Sequence, residues 1–472
     1  MQIVFSFDTE DYVDPVSNDA LKALAQSHTR HDMPASFGLV GEKARFLQAR
    51  GRRDVIEAIA EHEIAYHSDH HFMLPDTHYE DTFTPEYMEK AGWDLAVARL
   101  SAEESRGVRD VERICGKRPR TWLRTYGDWA PQVLAALDRV GIRVFAYGPP
   151  FHIEDPRPIW YCNQLVVANP RMMYEQNLHR DDMSAAEKLA AHKQTLSDHL
   201  EKGTARLGVV THPTRFISDV WWEEPNLWGG IHQPPPRNDW TIPPRFAPDK
   251  SKELLWIADR FIEFASEIPD LEPVTFGDFE KQLCQQQSWL DRNQVARLAE
   301  GMDSRIRWAE VDGIPVSPAE MLALFALATA EPDMNILPIR PMMGPTEEPL
   351  ASGEPKPMPH AALTTAARRL ENGLRDRACV PACVRTAVGP VGPGACLLAL
   401  AEALRNPEAE TITLPADPGL PEPLHEDDYK RLGARPPCTY IQKRGEFEFP
   451  RTTRLGQLQY WTVKPALPEE WV

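Results

Sequence analysis

A chain of 472 residues is too long for one compact core, so two or three domains are expected. Its 42% hydrophobic and 26% charged residues are those of an ordinary globular protein. A formal charge of −18 at pH 7 speaks against nucleic acid or an anionic membrane as partner, because both reward clustered Lys and Arg.

From residue 1 to about 290, short apolar or β-branched segments alternate with amphipathic patterns. The expected strands are Ile3–Phe7, Ser36–Val40, Ile64–His67, Thr121–Leu123, Arg143–Tyr147, Leu207–Thr211 and Pro273–Phe276. Between several of them the helical spacing predicts Asn18–His31, Lys43–Ile59, Met88–Cys115, Ala130–Val140 and Asp249–Glu267. Asp182 or Ser184 would cap a further Ala-rich helix. About seven strand–helix units imply a parallel α/β architecture with barrel-like closure, since the first turn is acidic rather than Gly-rich.

After about residue 290 the composition shifts to Ala, Leu and Pro. Pro315–Ala328 and Pro390–Ala403 match at a fixed offset, each opening on Pro and running apolar at helical spacing. The expectation for 291–472 is a mainly α-helical domain with a duplicated unit (about 305–340 and 380–415) and a strand-like tail. Such helices are packing surface, and offer a protein partner or a second copy a place to dock. No apolar run approaches the ~20 residues of a spanning helix, and no basic–apolar leader precedes the first strand, so a cytoplasmic location is expected. Seven scattered cysteines read as reduced thiols.

Chemistry concentrates at the strand ends, which in a barrel share one mouth. The first strand runs into Asp8-Thr-Glu10-Asp11, and the third into His67-Ser-Asp-His-His71. Two imidazoles four apart on a helical turn lie roughly 6 Å apart along its axis and can chelate one ion, with His70 a competitor for the second position. With one carboxylate they make a three-ligand site keeping an open position for water. Alternation puts Asp8 and Glu10 on one face, whereas Asp11 reaches an ion only if the chain turns first. His212 ends another strand and is suited to protonate a leaving group. Arg124, also at a strand end, could grip a catalytic carboxylate.

These residues resemble the polysaccharide deacetylases with the NodB-homology domain, carbohydrate esterase family four, over about residues 1–290. The motifs carrying the resemblance are Asp8-Thr-Glu-Asp11, His67-Ser-Asp-His-His71 and Val210-Thr-His212, in family order. The resemblance implies a distorted seven-stranded (β/α) barrel, a divalent ion (zinc, or cobalt or nickel) and hydrolysis of an N-acetyl or related amide. By it, Asp8 is the base and His212 the acid. Asp11 is the metal carboxylate, with Glu10 as alternative, and His67 and His71 are the other ligands. The acidic motif is spread, Arg124 is followed by Thr125 rather than proline, and no tryptophan–aspartate pair follows the fifth strand. Tyr126, Trp222 and Trp228 are the expected substrate contacts. The expected substrate is an N-acetylated sugar; the alternatives are a small amide or cyclic imide, as in an allantoinase-like branch, or a decayed barrel serving as a carbohydrate-binding scaffold.

Overall fold

The computed structural model describes residues 1–71, 85–125, 130–148, 157–168, 171–227, 236–283, 288–351, 353–434 and 449–466. The chain divides into two compact units. The first comprises Met1–Pro156, Val167–Gln282 and Pro437–Glu448; the second, Arg157–Val166, Leu283–Pro436 and Phe449–Val472.

In chain order the first ten strands are β1 (Gln2–Thr9), β2 (Ala35–Leu39), β3 (Glu63–Tyr66), β4 (Thr121–Leu123), β5 (Val144–Ala146), β6 (Ile159–Tyr161), β7 (Gln164–Val167), β8 (Arg171–Met173), β9 (Arg206–Thr211) and β10 (Glu272–Pro273). The first unit arranges seven of them in the order β5-β4-β3-β2-β1-β9-β8, every pairing parallel, with β10 beside the start of β1. Alternation along β1 explains its two faces. Phe5 and Phe7 meet the helix layer through His28, with ring centroids 4.9 and 5.3 Å away. Ser6, on the opposite face, hydrogen-bonds the Tyr147 hydroxyl just beyond β5. That contact spans five neighbouring strands, β1 to β5, so the array curls like a barrel wall and carries Asp8 to its inner side.

The helices of this unit are α1 (Ser17–Arg30), α2 (Gly41–Ala49), α3 (Arg53–Ala60), α4 (Pro85–Lys90), α5 (Trp93–Cys115), α6 (Pro131–Arg139), α7 (Glu175–Leu178), α8 (Ala185–Glu201), α9 (Glu224–Leu227), α10 (Pro248–Ser266) and α11 (Phe276–Leu283). Three sequence expectations are corrected. The single helix over Lys43–Ile59 is two, α2 and α3, separated by the Arg50-Gly51-Arg52 turn. The strand expected over Pro273–Phe276 reaches only Pro273, and Phe276 opens α11. The single helix over Met88–Cys115 is likewise two, α4 ending at Lys90 and α5 starting at Trp93 after Gly92. Ser184 caps α8 through a capping box with Glu187.

In the second unit helices alternate with short strands that the sequence reading did not include. One copy of its duplicated motif runs β11 (Trp289–Asp291), α12 (Arg292–Glu300), β12 (Ala309–Val311), β13 (Ile314–Val316), α13 (Pro318–Ala330) and β14 (Ile336–Pro338). The other runs β15 (Lys356–Pro359), α14 (His360–Arg377), β16 (Val384–Thr386), β17 (Gly389–Val391), α15 (Pro393–Arg405) and β18 (Thr411–Leu414). In each copy the outer strands pair antiparallel and the inner two form a hairpin. The first hairpin turns on Asp312-Gly313, both at positive φ (51° and 74°), the two-residue turn that an Asp-Gly dipeptide favours. Helix α13 carries Leu, Met, Phe and Ala on all faces because it is enclosed on all of them, with α14 and α15 of the other copy packed against it. Of the tail read as strand-like, 439–448 lie outside the described residues; beyond them the reading is corrected, since Pro450 starts α17 (Pro450–Leu458), which follows α16 (Asp428–Ala434), and β19 covers only Lys464–Pro465. No helix among the described residues is long and apolar enough to cross a membrane.

Candidate metal centre

At the end of β1 the backbone sends two carboxylates to the inner face and turns the third away. Glu10 Oε2 lies 2.8 Å from His71 Nε2 and 3.2 Å from His67 Nε2. These three side chains are buried, with ligand atoms close enough to share one ion. The carboxylate they meet is Glu10, which corrects the expectation for Asp11. Asp11 Oδ1 accepts the backbone N–H groups of Val13 and Asp14, each at 2.9 Å, and so closes the turn leading into α1. The buried Lys43 ammonium donates to the Asp11 carbonyl and to Ser17 Oγ. Burial raises the Asp11 carboxyl above its usual value despite Lys43.

His67 shows why the cluster fits a cation. Its Nδ1 donates to the Leu123 carbonyl at 2.8 Å, so in its neutral form the ring presents a lone pair from Nε2 to the Glu10 carboxylate; burial works against the imidazolium, but Asp8 and Glu10 raise His67 above the usual histidine value. Two acceptors face one another there, an arrangement that a proton or a metal ion satisfies. A ligand histidine whose other nitrogen donates to a backbone carbonyl is the usual arrangement at metal centres. Two imidazoles and one carboxylate are also a donor set that zinc accepts. Burial alone would raise Glu10, yet His71 and His67 hold it well below the usual carboxylate range. Burial lowers His71.

The second histidine motif is not a helical turn. Ser68 and His71 both take left-handed backbone angles (φ 67° and 58°), which brings the two rings to 5.2 Å between centroids. Asp69, completely buried, anchors this loop: its oxygens take Arg45 Nη1 at 2.7 Å and Arg106 Nη2 at 2.5 Å. Glu104 accepts the Asp69 N–H at 3.1 Å and the Tyr66 hydroxyl at 2.5 Å, and burial pushes its carboxyl up to about 8. His70, buried and lowered to about 4 by burial, has neither ring nitrogen hydrogen-bonded among the described residues and does not join the centre.

Gly107 of α5 leaves the room this loop needs, since a Cβ there would sit 2.1 Å from the Tyr66 hydroxyl and 2.8 Å from Asp69 Oδ1. Helix propensity alone would make Gly107→Ala stabilising by about 1 kcal/mol. The close approach reverses the sign, with an expected loss of roughly 1–3 kcal/mol in urea denaturation and weaker zinc binding.

Beside the centre stands a second set. His212 Nε2 lies 3.3 Å from Asp8 Oδ2, and its Nδ1 lies 2.7 Å from Glu175 Oε1, which also accepts the His212 backbone N–H at 2.8 Å. Burial works against the imidazolium, but hydrogen bonds to Asp8 and Glu175 keep His212 well above the usual histidine value. Asp8 Oδ1 is buried and 4.0 Å from His67 Nδ1. Glu175, the first residue of α7, escaped sequence reading because β8, which delivers it, is only three residues long.

Of the remaining expected residues, Arg124 Nη1 donates to the Gly148 carbonyl at 2.9 Å. Trp222 is corrected: it is fully buried, and its indole N–H donates to Glu10 Oε1 at 3.0 Å instead of lining a substrate surface. Its neighbour Trp221 stands edge-on to the His212 ring at 4.7 Å. Tyr126 and Trp228 lie outside the described residues.

No family model matches the chain, and no curated protein does. Solved structures similar to it include a putative polysaccharide deacetylase from Mycobacterium smegmatis, at 14% identity over 60% of this chain and 89% of that one, with a TM-score of 0.37. A probable polysaccharide deacetylase from Pseudomonas aeruginosa PAO1 has 11% identity over 61% and 91%, with a TM-score of 0.39. Puue allantoinase has 11% identity over 59% and 89%, with a TM-score of 0.38. Likenesses this weak carry no chemistry over to this chain, whose reading rests on its own side chains.

Proposed function

We propose that the first unit is a metal-dependent amide hydrolase, and that its reaction is N-deacetylation of an N-acetylated sugar or sugar-containing substrate in the cytoplasm. One observation carries this reading: a buried Glu10–His67–His71 cluster stands beside an Asp8–His212–Glu175 chain of hydrogen-bonding groups. Glu10, His67 and His71 would hold the ion, zinc first and cobalt or nickel as substitutes. When bound, the ion supplies a Lewis acid for the amide carbonyl and makes water a stronger acid.

The chain's own groups account for the protons. Asp8, ending β1 on the inner face, takes a proton from the attacking water as its oxygen bonds to the carbonyl carbon. His212, held as imidazolium between Asp8 and Glu175, gives its Nε2 proton to the amide nitrogen as the C–N bond breaks. The products are a carboxylic acid and an amine. Glu175 keeps the Nδ1–H of His212 engaged, so that Nε2 is the nitrogen that faces the reaction.

Burial also favours a second reading. The side chains of Asp8 and His212 are only 13% and 11% exposed, and those of the three ligand residues 3% or less. Such an enclosed site suits a small amide or cyclic imide better than a polymer, so the substrate panel spans both classes. The test loads purified protein with zinc and follows acetate or amine release from N-acetyl sugars and ring opening of cyclic amides. Asp8→Asn is expected to lower kcat by about 10²–10⁴-fold with zinc still bound. A zinc-loaded wild type that turns over nothing in the panel would leave the scaffold alternative standing.

A further inference from the structure

Glu10 has two oxygens, and the structure gives them different partners. Oε2 faces His71 Nε2 and His67 Nε2 at 2.8 and 3.2 Å. Oε1 accepts the indole N–H of Trp222 at 3.0 Å. Trp222 has no exposed surface, and its N–H is a donor only, so it cannot compete for an ion.

A small cluster of its own fixes the indole. Tyr12, Val13, Val40 and Trp222 are buried together, with Phe46 and Trp240 packed against them. The Trp222 ring lies 4.8 Å from Tyr12 and 5.8 Å from His71 between centroids. Tyr12 and Val13 follow directly on the acidic stretch, and Asp14, next in line, is gripped by both ends of the Arg245 fork at 2.8 Å. The turn that withdraws Asp11 therefore also builds the wall that holds Trp222 against Glu10.

A carboxylate with one oxygen committed to an N–H is restricted to the other oxygen as a ligand. We propose that Trp222 is a positioning residue for the metal centre: it holds Glu10 to one-oxygen ligation and so keeps a coordination position open beside Asp8. The inference rests on the metal-hydrolase reading. If Glu10 bound through both oxygens, it would fill the position that water needs. Loss of the donor should also loosen the site, because removing an outer hydrogen-bond partner of a ligand weakens metal affinity by roughly 10–100-fold.

The test is Trp222→Phe in the full chain, which keeps a packed ring and removes the N–H. A second variant carries β-(3-benzothienyl)alanine at 222, which keeps the bicyclic shape and so guards against a folding defect. Zinc affinity, measured against a competing chelator, is expected to fall by roughly 10–100-fold in both variants. The visible spectrum of the cobalt-loaded protein should weaken as the freed oxygen raises the coordination number. In a Glu10→Gln background, removing the indole N–H should cost nothing further. Wild-type zinc affinity together with a wild-type cobalt spectrum in either folded variant overturns the assignment. A wild type that binds zinc but hydrolyses nothing removes the hydrolase reading alone, and the affinity comparison still decides on Trp222. A wild type without zinc affinity removes both.

Discussion

Glu10→Gln is expected to lower zinc affinity by more than about 100-fold and to abolish hydrolysis, whereas Asp11→Ala should keep the ion and lose stability. The two acids are adjacent, so they separate the roles cleanly. Glu10 is the carboxylate that both imidazoles reach, and losing a ligand must cost more than the roughly 10–100-fold attached to an outer partner. Asp11 accepts two backbone N–H groups in the turn after β1, and their loss in a buried setting costs about 1–3 kcal/mol. Isothermal titration with zinc and urea denaturation of both variants read the two effects independently. An Asp11→Ala protein that loses zinc while keeping its denaturation midpoint would return the ligand role to Asp11.

That exchange of roles shows where sequence reasoning ran short. Alternation already put Asp8 and Glu10 on one face, and the structure places them so. Ligation by Asp11 requires the chain to turn before the ion. The chain does turn, but Asp11 is the residue that makes the turn, because an aspartate one bond shorter than glutamate reaches its own following N–H groups. The strand ends bearing Asp8, His67 and His212 were legible because each follows a short, mostly apolar β-branched or aromatic run. Glu175 was not, since β8 contributes three residues without alternation, and its position is set by pairing with β9. Trp222 was read as a substrate surface because tryptophan in a Pro-rich loop carries no sign of its burial. Only the fold shows that its N–H is spent on the Glu10 carboxylate. In the second unit the duplicated helices stood out, while the short strands between them were hidden by their length. The Asp312-Gly313 turn was the signal that would have revealed the first hairpin.

The second large effect concerns acid. His28 lies in the helix layer between Phe5 and Phe7, fully buried, and its Nδ1 donates to the Met33 carbonyl at 2.9 Å while Nε2 has no partner among the described residues. Burial lowers it to about 3, and burial likewise lowers His192, stacked on Tyr174, to about 4. A histidine whose folded value lies below its unfolded value near 6.5 binds its proton first in the unfolded chain. Its neutral form therefore supports the fold above pH 6.5, and that support is lost as pH falls toward the folded value. A gap of this size corresponds to ~5 kcal/mol for His28 and ~3 kcal/mol for His192 by pH 3 to 4. Glu104, raised to about 8 by burial, acts with the opposite sign: the folded chain keeps its proton longer, so acidification from pH 8 toward 4.5 stabilises. The two contributions overlap between pH 6.5 and 4.5, and the net pH dependence of the wild type conceals both. The difference between wild type and His28→Phe isolates the histidine, because the substitution keeps an aromatic ring between Phe5 and Phe7 and removes the titration together with the one bond to Met33. At pH 7.5 the variant should be the less stable of the two, by about 1 kcal/mol for the lost bond to Met33. At pH 4.5 the order should reverse by ~2 kcal/mol, with the crossing below pH 6.5 in urea denaturation. Parallel stability curves across that range would show that His28 titrates in the folded chain at its unfolded value.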